Sequence, residues 1–295
     1  MTLLMHDAKN FLSASARDAL SKGELFDILY ADDTLLLGHR AAHVEEYAAA
    51  VEKAGTTYGM KLHWGKTQAL CVGDAGPLKK ADGSLFEDVS SLQYLGALLY
   101  RDGRVDSEIS RKLGAARADF NQLRQLWGHS SVTQREKVKF FDAFILSKLR
   151  YGLSTVWLVT SQRRRIDGFV ARCLRSLLRI PSSFVSRISN AAVLERAGTK
   201  PFSQQVLKHQ LSLLRKVSLT EAGHPLRKDT FADATLIPQI GRFIRRPGRP
   251  RQDWTSQLLR EGQERFGHTR FQTLLLDCSP HADRRWKAEL EKSFS

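Results

Sequence analysis

The chain has 295 residues, of which 42% are hydrophobic, so it can form one substantial core or two smaller ones, and disorder throughout is excluded. Its apolar runs are far shorter than the roughly 18 residues that span a bilayer, and no basic flank precedes the first of them. We therefore expect no membrane partner, no secretory signal, and an intracellular protein for which the nucleus is one option. The three cysteines are widely separated, which fits a reducing compartment rather than a disulfide framework.

The net charge of +15 is unevenly distributed along the chain. Residues 1–100 contain 9 Lys or Arg and 13 Asp or Glu, a net charge of −4, whereas residues 101–295 contain 37 and 18, a net charge of +19. Such a basic region is either a solvated surface or a binding surface for a polyanion. Aromatic residues interleaved with these basic residues favour a binding surface for nucleic acid. They are Trp127, Phe140, Phe141, Tyr151 and Trp157.

The first 100 residues combine helical spacing with short strand-like runs. Ser21-Lys22-Gly23 marks the end of the first helix. In chain order, the pattern predicts a helix over about 2–20, a β-hairpin over 25–38, a helix over 41–57, a strand over 61–72 and a strand pair over 92–99.

After Asp102-Gly103 the apolar period changes from two to 3.6 residues, which predicts a domain boundary followed by helices. Thr133 and Glu136 have the spacing of a capping box at a helix start. Helices are predicted over about 109–126, 133–149, 162–179, 188–197, 203–221, 254–266 and 283–293. We expect three segments, at 1–100, 101–222 and 223–295.

Asp32 and Asp33 lie between the two apolar runs of the predicted hairpin, which places both at its tip. Mg²⁺ prefers one or two carboxylates together with water and substrate phosphates, and such a tip could supply those carboxylates. Asp is also a common turn residue, so a solvated turn explains the pair equally well.

The motif Tyr30-Ala31-Asp32-Asp33 and a series of blocks after it resemble the reverse transcriptases of non-LTR (LINE-type) retrotransposons. Each block is weak alone, but they occur in the family's order along most of the chain. They are Gly59-Met60-Lys61-Leu62-His63-Trp64-Gly65-Lys66-Thr67, Leu92-Gln93-Tyr94-Leu95-Gly96, Tyr151-Gly152-Leu153-Ser154-Thr155-Val156-Trp157, Cys173-Leu174-Arg175-Ser176-Leu177-Leu178-Arg179-Ile180, Gly223-His224-Pro225-Leu226 and Gly248-Arg249-Pro250-Arg251-Gln252-Asp253-Trp254.

The resemblance implies an α+β fold, with a partial palm at 1–100, a helical thumb at 101–222 and a basic extension at 223–295. It implies an RNA-directed DNA polymerase that uses Mg²⁺, an RNA template and a DNA primer. In the family pattern, Asp32 and Asp33 match the metal-site pair, and Lys66 matches a lysine near the triphosphate. Residues that would contact nucleic acid are Tyr30, next to the pair, and Tyr94, Leu95 and Gly96, in the region matching the primer grip.

In the family that this chain resembles, the two-metal site takes a further aspartate from a strand well upstream of the hairpin, and we expect that strand and the fingers to be absent here. Asp7 and Asp18 lie in a helical pattern and Asp27 lies within the hairpin, so none is a convincing substitute. The resemblance therefore predicts a chain that is inactive alone. Two alternatives stay open: a non-enzymatic nucleic-acid-binding protein that uses the basic half, and a polymerase completed in trans.

Two arginine clusters are further candidates for nucleic-acid contact. Arg249 lies within a Gly-Arg-Pro core, and Arg246 and Arg251 lie on either side of it. This stretch looks like an AT-hook, a peptide that lays arginines into the minor groove of A·T tracts. Arg163-Arg164-Arg165 opens a predicted helix, where positive charge opposes the helix dipole. A basic loop and a solvated helix face are the structural alternatives.

Overall fold

The computed structural model describes residues 1–73, 76–232, 236–238 and 253–294. It has an α+β composition, with many helices and three two-stranded sheets among the described residues. The chain divides into two units, residues 1–105 and 106–295, and each unit has its own hydrophobic core.

The N-terminal segment forms two helices rather than the single helix predicted over 2–20. Helix α1 spans Thr2–Asn10 and α2 spans Ala14–Lys22. The break occurs because the hydroxyl of Ser13 accepts a 3.2 Å hydrogen bond from the amide of Ala16 and so caps α2. Gly23 ends α2 in the left-handed conformation with φ 72°, as the sequence predicted.

The predicted hairpin and the helix after it are both confirmed. Strands β1 (Leu25–Tyr30) and β2 (Asp33–Gly38) pair antiparallel, and α3 spans Ala41–Thr57. One face of the hairpin packs with α1, α2 and α3 around a core of small and aliphatic side chains and one tyrosine. The largest buried members of this core are Leu4, Met5, Leu12, Leu25, Tyr47 and Val51.

The strand predicted over 61–72 is largely wrong. This segment forms a 3₁₀ turn at Trp64–Lys66 and a two-residue strand, β3 (Gln68–Ala69), which pairs in parallel with β4 (Glu87–Asp88). Trp64 explains the deviation, because its indole donates a 2.9 Å hydrogen bond to Glu52 and its ring packs edge-on against Phe86. The strand pair predicted over 92–99 is confirmed as an antiparallel hairpin of β5 (Ser91–Tyr94) and β6 (Ala97–Tyr100).

The second unit begins with helices, but the one predicted over 109–126 is split at Leu123 into α4 (Asp106–Gln122) and α5 (Arg124–Gly128). The break lets Trp127 stack on Phe120 at 5.3 Å and donate its indole N–H to the Phe120 carbonyl at 2.7 Å. The predicted capping box of Thr133 and Glu136 is confirmed. It opens one helical run of α6 (Gln134–Phe141), a π-helical turn (Asp142–Leu146) and α7 (Ser147–Arg150).

The rest of this unit is built around α8 (Thr160–Leu177) and α11 (Phe202–Ser218). The described part of 223–295 shares one core with α11, in which Leu211 and Leu214 lie with Phe271, Leu275 and Trp286. The sequence missed α9, α12 and α14. Among the described residues of this unit, the other helical elements are, in chain order, a 3₁₀ turn (Leu153–Thr155), α9 (Ser183–Ser186), α10 (Asn190–Arg196), α12 (Pro225–Thr230), α13 (Trp254–Phe266), α14 (His268–Leu276) and α15 (Ala282–Phe294).

Among the described residues, every helix is too short or too polar to cross a lipid bilayer.

Candidate functional site

The acidic pair lies at the tip of the first hairpin. Tyr30 pairs with Asp33 as the last rung of the ladder, and Ala31 and Asp32 form the two-residue turn. Ala31 adopts a positive φ of 53°, an uncommon conformation for a residue with a side chain, so the tight turn stores some backbone strain. Tyr30, Asp32 and Asp33 are all exposed, so the Tyr30 ring lies at the surface beside the acidic pair.

The two faces of this hairpin carry different carboxylates. The side chain of Asp27 points towards the helices, where it accepts a 2.8 Å hydrogen bond from the Tyr47 hydroxyl and lies 2.9 Å from the Lys9 ammonium. Burial of the Tyr47 hydroxyl, and then its bond to Asp27, raise the pKa of Tyr47 far above its ordinary value. Asp27 is thus a packing residue of the inner face and does not join the pair at the tip.

The second hairpin lies next to the first, which the sequence did not predict. The Tyr94 hydroxyl donates a 3.3 Å hydrogen bond to the carbonyl of Ile28. Partial burial raises the pKa of Tyr94, and the nearby negative charge of Asp33 raises it further. Tyr94 therefore lies within electrostatic range of the acidic tip, so the turn of the second hairpin and the acidic pair belong to one local surface.

Leu95 and Gly96 form the turn of the second hairpin. Both have a positive φ, 48° and 79°, which is the combination that a tight two-residue hairpin turn requires. Gly96 meets this requirement without cost, and Leu95 meets it at the cost of strain. The Leu95 side chain is more than a third exposed.

Lys66 ends the 3₁₀ turn after α3, and its side chain is exposed. It forms no hydrogen bond or ion pair with Asp32 or Asp33, all three being described residues. The approach of Lys66 to a triphosphate, which the resemblance implies, stays a prediction.

The donor set at the tip suits a partly hydrated Mg²⁺. Within the described part of the chain, neither Asp32 nor Asp33 has a cationic partner, and no group of three or more His, Cys, Asp or Glu side chains could enclose a metal. Two exposed carboxylates match the demand of Mg²⁺ for one or two protein ligands, with water and substrate phosphates completing its shell. Asp32 and Asp33 are the residues that would hold such an ion.

The Arg163-Arg164-Arg165 cluster is divided between structural and exposed roles. Arg163 donates a 2.9 Å hydrogen bond to the Leu158 carbonyl, lies 4.3 Å from the centre of the Trp157 ring and approaches Glu261 at 3.4 Å. These contacts give Arg163 a packing role within the second unit, and its contact with nucleic acid stays a prediction. Arg164 and Arg165 are exposed, and Arg165 donates to the Ser110 hydroxyl at 3.0 Å.

Only some of the predicted aromatic residues are available to a ligand. Trp127 and Phe141 are buried in the core, and Trp157 packs against the core around α11, so these three are structural. Phe140 and Tyr151 are exposed. Phe140 stacks on Phe144 with 6.0 Å between the ring centres, which forms an exposed aromatic pair on one side of the α6 run.

Two of the blocks that carry the family resemblance meet in space. The indole of Trp254, which opens α13, donates a 3.0 Å hydrogen bond to the carbonyl of Ser154. Gln210 of α11 donates to the neighbouring carbonyls of Leu153 and Val156 at 3.2 and 2.6 Å. These contacts give Trp254 and the 151–157 block a structural role within the second unit. The AT-hook-like residues Arg246, Arg249 and Arg251 lie outside the described residues.

No protein-family model, curated protein or solved structure matches this chain. The functional assignment therefore depends on the residues and their geometry.

Proposed function

We propose that this chain is the palm-to-thumb part of a LINE-type reverse transcriptase, an RNA-directed DNA polymerase. The observation that carries the proposal is the exposed tip at Asp32 and Asp33, with Tyr94 of a second hairpin beside it. In this proposal the two carboxylates hold one Mg²⁺ against the phosphates of an incoming deoxynucleotide, and the second hairpin supports the end of the primer.

The chemistry needs more carboxylates than the described residues bring to the tip. Nucleotidyl transfer by two metals requires one ion at the attacking hydroxyl and another at the triphosphate. Asp27 is engaged by Tyr47 and Lys9 on the inner face, so it is not free to complete the set. We therefore expect the chain alone to bind nucleic acid without extending a primer.

Primer extension on an RNA template, with Mg²⁺ and deoxynucleotides, tests this proposal. The purified chain should give no product, and addition of a polypeptide that supplies a reverse-transcriptase fingers and upstream palm should restore synthesis. That synthesis should be lost on Asp32→Ala and kept on Asp18→Ala, a change at an exposed acid of α2. Robust synthesis by the chain alone would contradict the expected inactivity, and complemented synthesis that survives Asp32→Ala would contradict the role of the acidic pair.

A second candidate is a nucleic-acid-binding protein without enzymatic activity. The charge of +19 over residues 101–295 and the exposed pair of Phe140 and Phe144 favour it. Filter binding across a salt series distinguishes the candidates from an inert chain, because each phosphate contact steepens the loss of affinity with salt. Binding that stays unchanged in Asp32→Ala, with no synthesis under any complementation, would favour the binding protein.

A further inference from the structure

The loop after α8 exposes two neighbouring apolar side chains. Phe184 and Val185 lie on the short helix α9 and are 82% and 69% exposed, the highest values among the large hydrophobic residues that the structure describes. Two adjacent apolar side chains with this exposure form a small contiguous apolar surface, which is a candidate contact with another molecule.

A buried arginine holds this loop in place. Arg175 of α8 is 6% exposed, and its guanidinium donates to four acceptors. These are the carbonyls of Pro181 at 3.4 Å and Ile188 at 2.6 Å, the Ser186 hydroxyl at 3.4 Å and the Asn190 side chain at 3.1 Å. All four acceptors are neutral, so among the described residues the role of this guanidinium is to fix the loop rather than to pair a charge.

The two ends of the loop are held in left-handed conformations. Arg179 has φ 56° at the end of α8, where the amide of Ile180 bonds to the Arg175 carbonyl at 2.8 Å in a Schellman arrangement. Arg187 also has φ 56° at the end of α9. A residue other than glycine adopts this backbone conformation at a cost in free energy, so the surrounding hydrogen bonds must enforce it. The apolar tip is therefore held in advance of binding.

The charge around the tip is of one sign. Between Asp167 and Glu195 the sequence has no acidic residue and four arginines, of which Arg172, Arg179 and Arg187 are exposed. The guanidinium of Arg187 lies 5.8 Å from the centre of the Phe184 ring. The guanidinium of Arg187 thus covers one face of the Phe184 ring and can also reach a phosphate. The rest of the ring is exposed.

We propose that Phe184 and Val185, presented by the Arg175-fixed loop, stack on exposed bases of single-stranded nucleic acid, while Arg179 and Arg187 contact its phosphates. This combination of an aromatic platform with flanking cations is the physical basis of single-strand binding. The proposal deepens the proposed function by naming a base-contacting element, and it rests on that function for its ligand class.

Nucleic acid fits the tip better than a membrane surface does. Even a complete myristoyl chain gives only marginal membrane affinity, and one Phe with one Val has less apolar surface. A single base, in contrast, matches the area of one aromatic ring. An apolar tip of two residues is therefore sufficient for base stacking and too small for stable membrane anchoring.

The test compares two strands of equal phosphate charge, a thymidine oligonucleotide of about 12 residues and the same strand with abasic sites. The full-length chain should bind the thymidine strand about tenfold more tightly. The double variant Phe184→Ala, Val185→Ser should lose most of that preference, yet bind the abasic strand as the wild type does. Leu226→Ala, a matched change at another exposed apolar residue of the same unit, should keep the preference.

The outcomes separate this proposal from the proposed function. Equal binding of both strands by the wild type, or a preference that survives the double variant, would overturn the stacking tip and leave nucleic-acid binding intact. Failure of the wild type to bind either strand at low salt would overturn the tip and count against the proposed function as well. Sedimentation with phosphatidylserine-containing vesicles that depends on Phe184, without any base preference, would assign the tip to membranes instead.

Discussion

The hydroxyl of Tyr47 donates a 2.8 Å hydrogen bond to the carboxylate of Asp27, which joins the middle of α3 to the inner face of the acidic hairpin. Tyr47 is fully buried, and Lys9 of α1 approaches the same carboxylate at 2.9 Å. Helices α1 and α3 thus fix the base of the hairpin whose tip carries Asp32 and Asp33.

Tyr47→Phe should destabilise the first unit by about 1–3 kcal/mol, because it removes a hydrogen bond to a charged group and leaves the carboxylate with one partner fewer. Urea unfolding measures this change. Tyr58→Phe is the matched control, since Tyr58 donates to Asp7 at an exposed position, and its effect should be much smaller. Equal effects of the two changes would contradict the structural role of the buried bond.

Arg175→Met should destabilise the second unit by roughly 2–4 kcal/mol, since it leaves several polar acceptors of the 180–190 loop without their shared donor. Arg172→Met, at an exposed position on the same helix, should change stability by less than about 0.5 kcal/mol. Hydrogen exchange at the amides of Ile188 and Arg187 should accelerate only in the Arg175 variant. A loop that stays protected in that variant would show that other contacts fix it.

Gly262→Ala should be destabilising although alanine is the better helix former by about 1 kcal/mol. A Cβ at Gly262 of α13 would overlap the ring of Phe271, which is fully buried and stacked at 5.7 Å on Phe266, so the ring has little room to move. The overlap should outweigh the gain in propensity and give a net loss of about 2 kcal/mol.

Adding Phe271→Leu to Gly262→Ala should recover part of that loss, and a double-mutant cycle by thermal unfolding would give the coupling between the two positions. Additive effects would mean that the two side chains do not compete for the same space.

The three cysteines should differ sharply in reactivity. Cys278 is exposed, whereas Cys71 and Cys173 are buried, and burial raises the pKa of the Cys173 thiol to about 12. Because the thiolate is the reactive form, alkylation at pH 8 should label Cys278 first and Cys173 only after unfolding. Peptide mapping by mass spectrometry distinguishes the sites, and rapid labelling of Cys173 in the folded chain would contradict the packing of α8.

Local sequence signals predicted elements whose cause is local. The capping box at Thr133 and the helix-ending Gly23 act through their own neighbours, and both were predicted correctly. The break at Ser13 has an equally local cap, but its contact with Glu46 of α3 comes from 33 residues away. Helical spacing that continues across such a break predicts one long helix, because apolar period carries no information about where the chain turns.

The candidate site shows the same limit. The hairpin that carries Asp32 and Asp33 follows from two apolar runs, and its existence was predictable. The approach of Tyr94 to Asp33, and the inward orientation of Asp27, depend on packing between segments far apart in the chain. The structural role of Arg175 was missed for the same reason. Its four hydrogen-bond acceptors come together only in the folded chain, and in the sequence nothing distinguishes Arg175 from the exposed arginines near it.

The π-helical turn at Asp142–Leu146 has a consequence for changes in chain length. The buried side chains of this run lie four residues apart, at Phe141, Ile145 and Leu149. In an ordinary helix of 3.6 residues per turn, side chains with this spacing would gradually rotate away from one face. The wider π-helical turn keeps all three buried. Deleting one residue here would restore regular α-helical geometry and shorten the spacing of Phe141 and Leu149 from eight residues to seven, which leaves Leu149 within about 20° of the Phe141 side of the helix. The wider turn therefore absorbs one extra residue while α6 and α7 keep their buried sides in phase, so the chain should tolerate a one-residue deletion at this turn better than one inside α6 or α7.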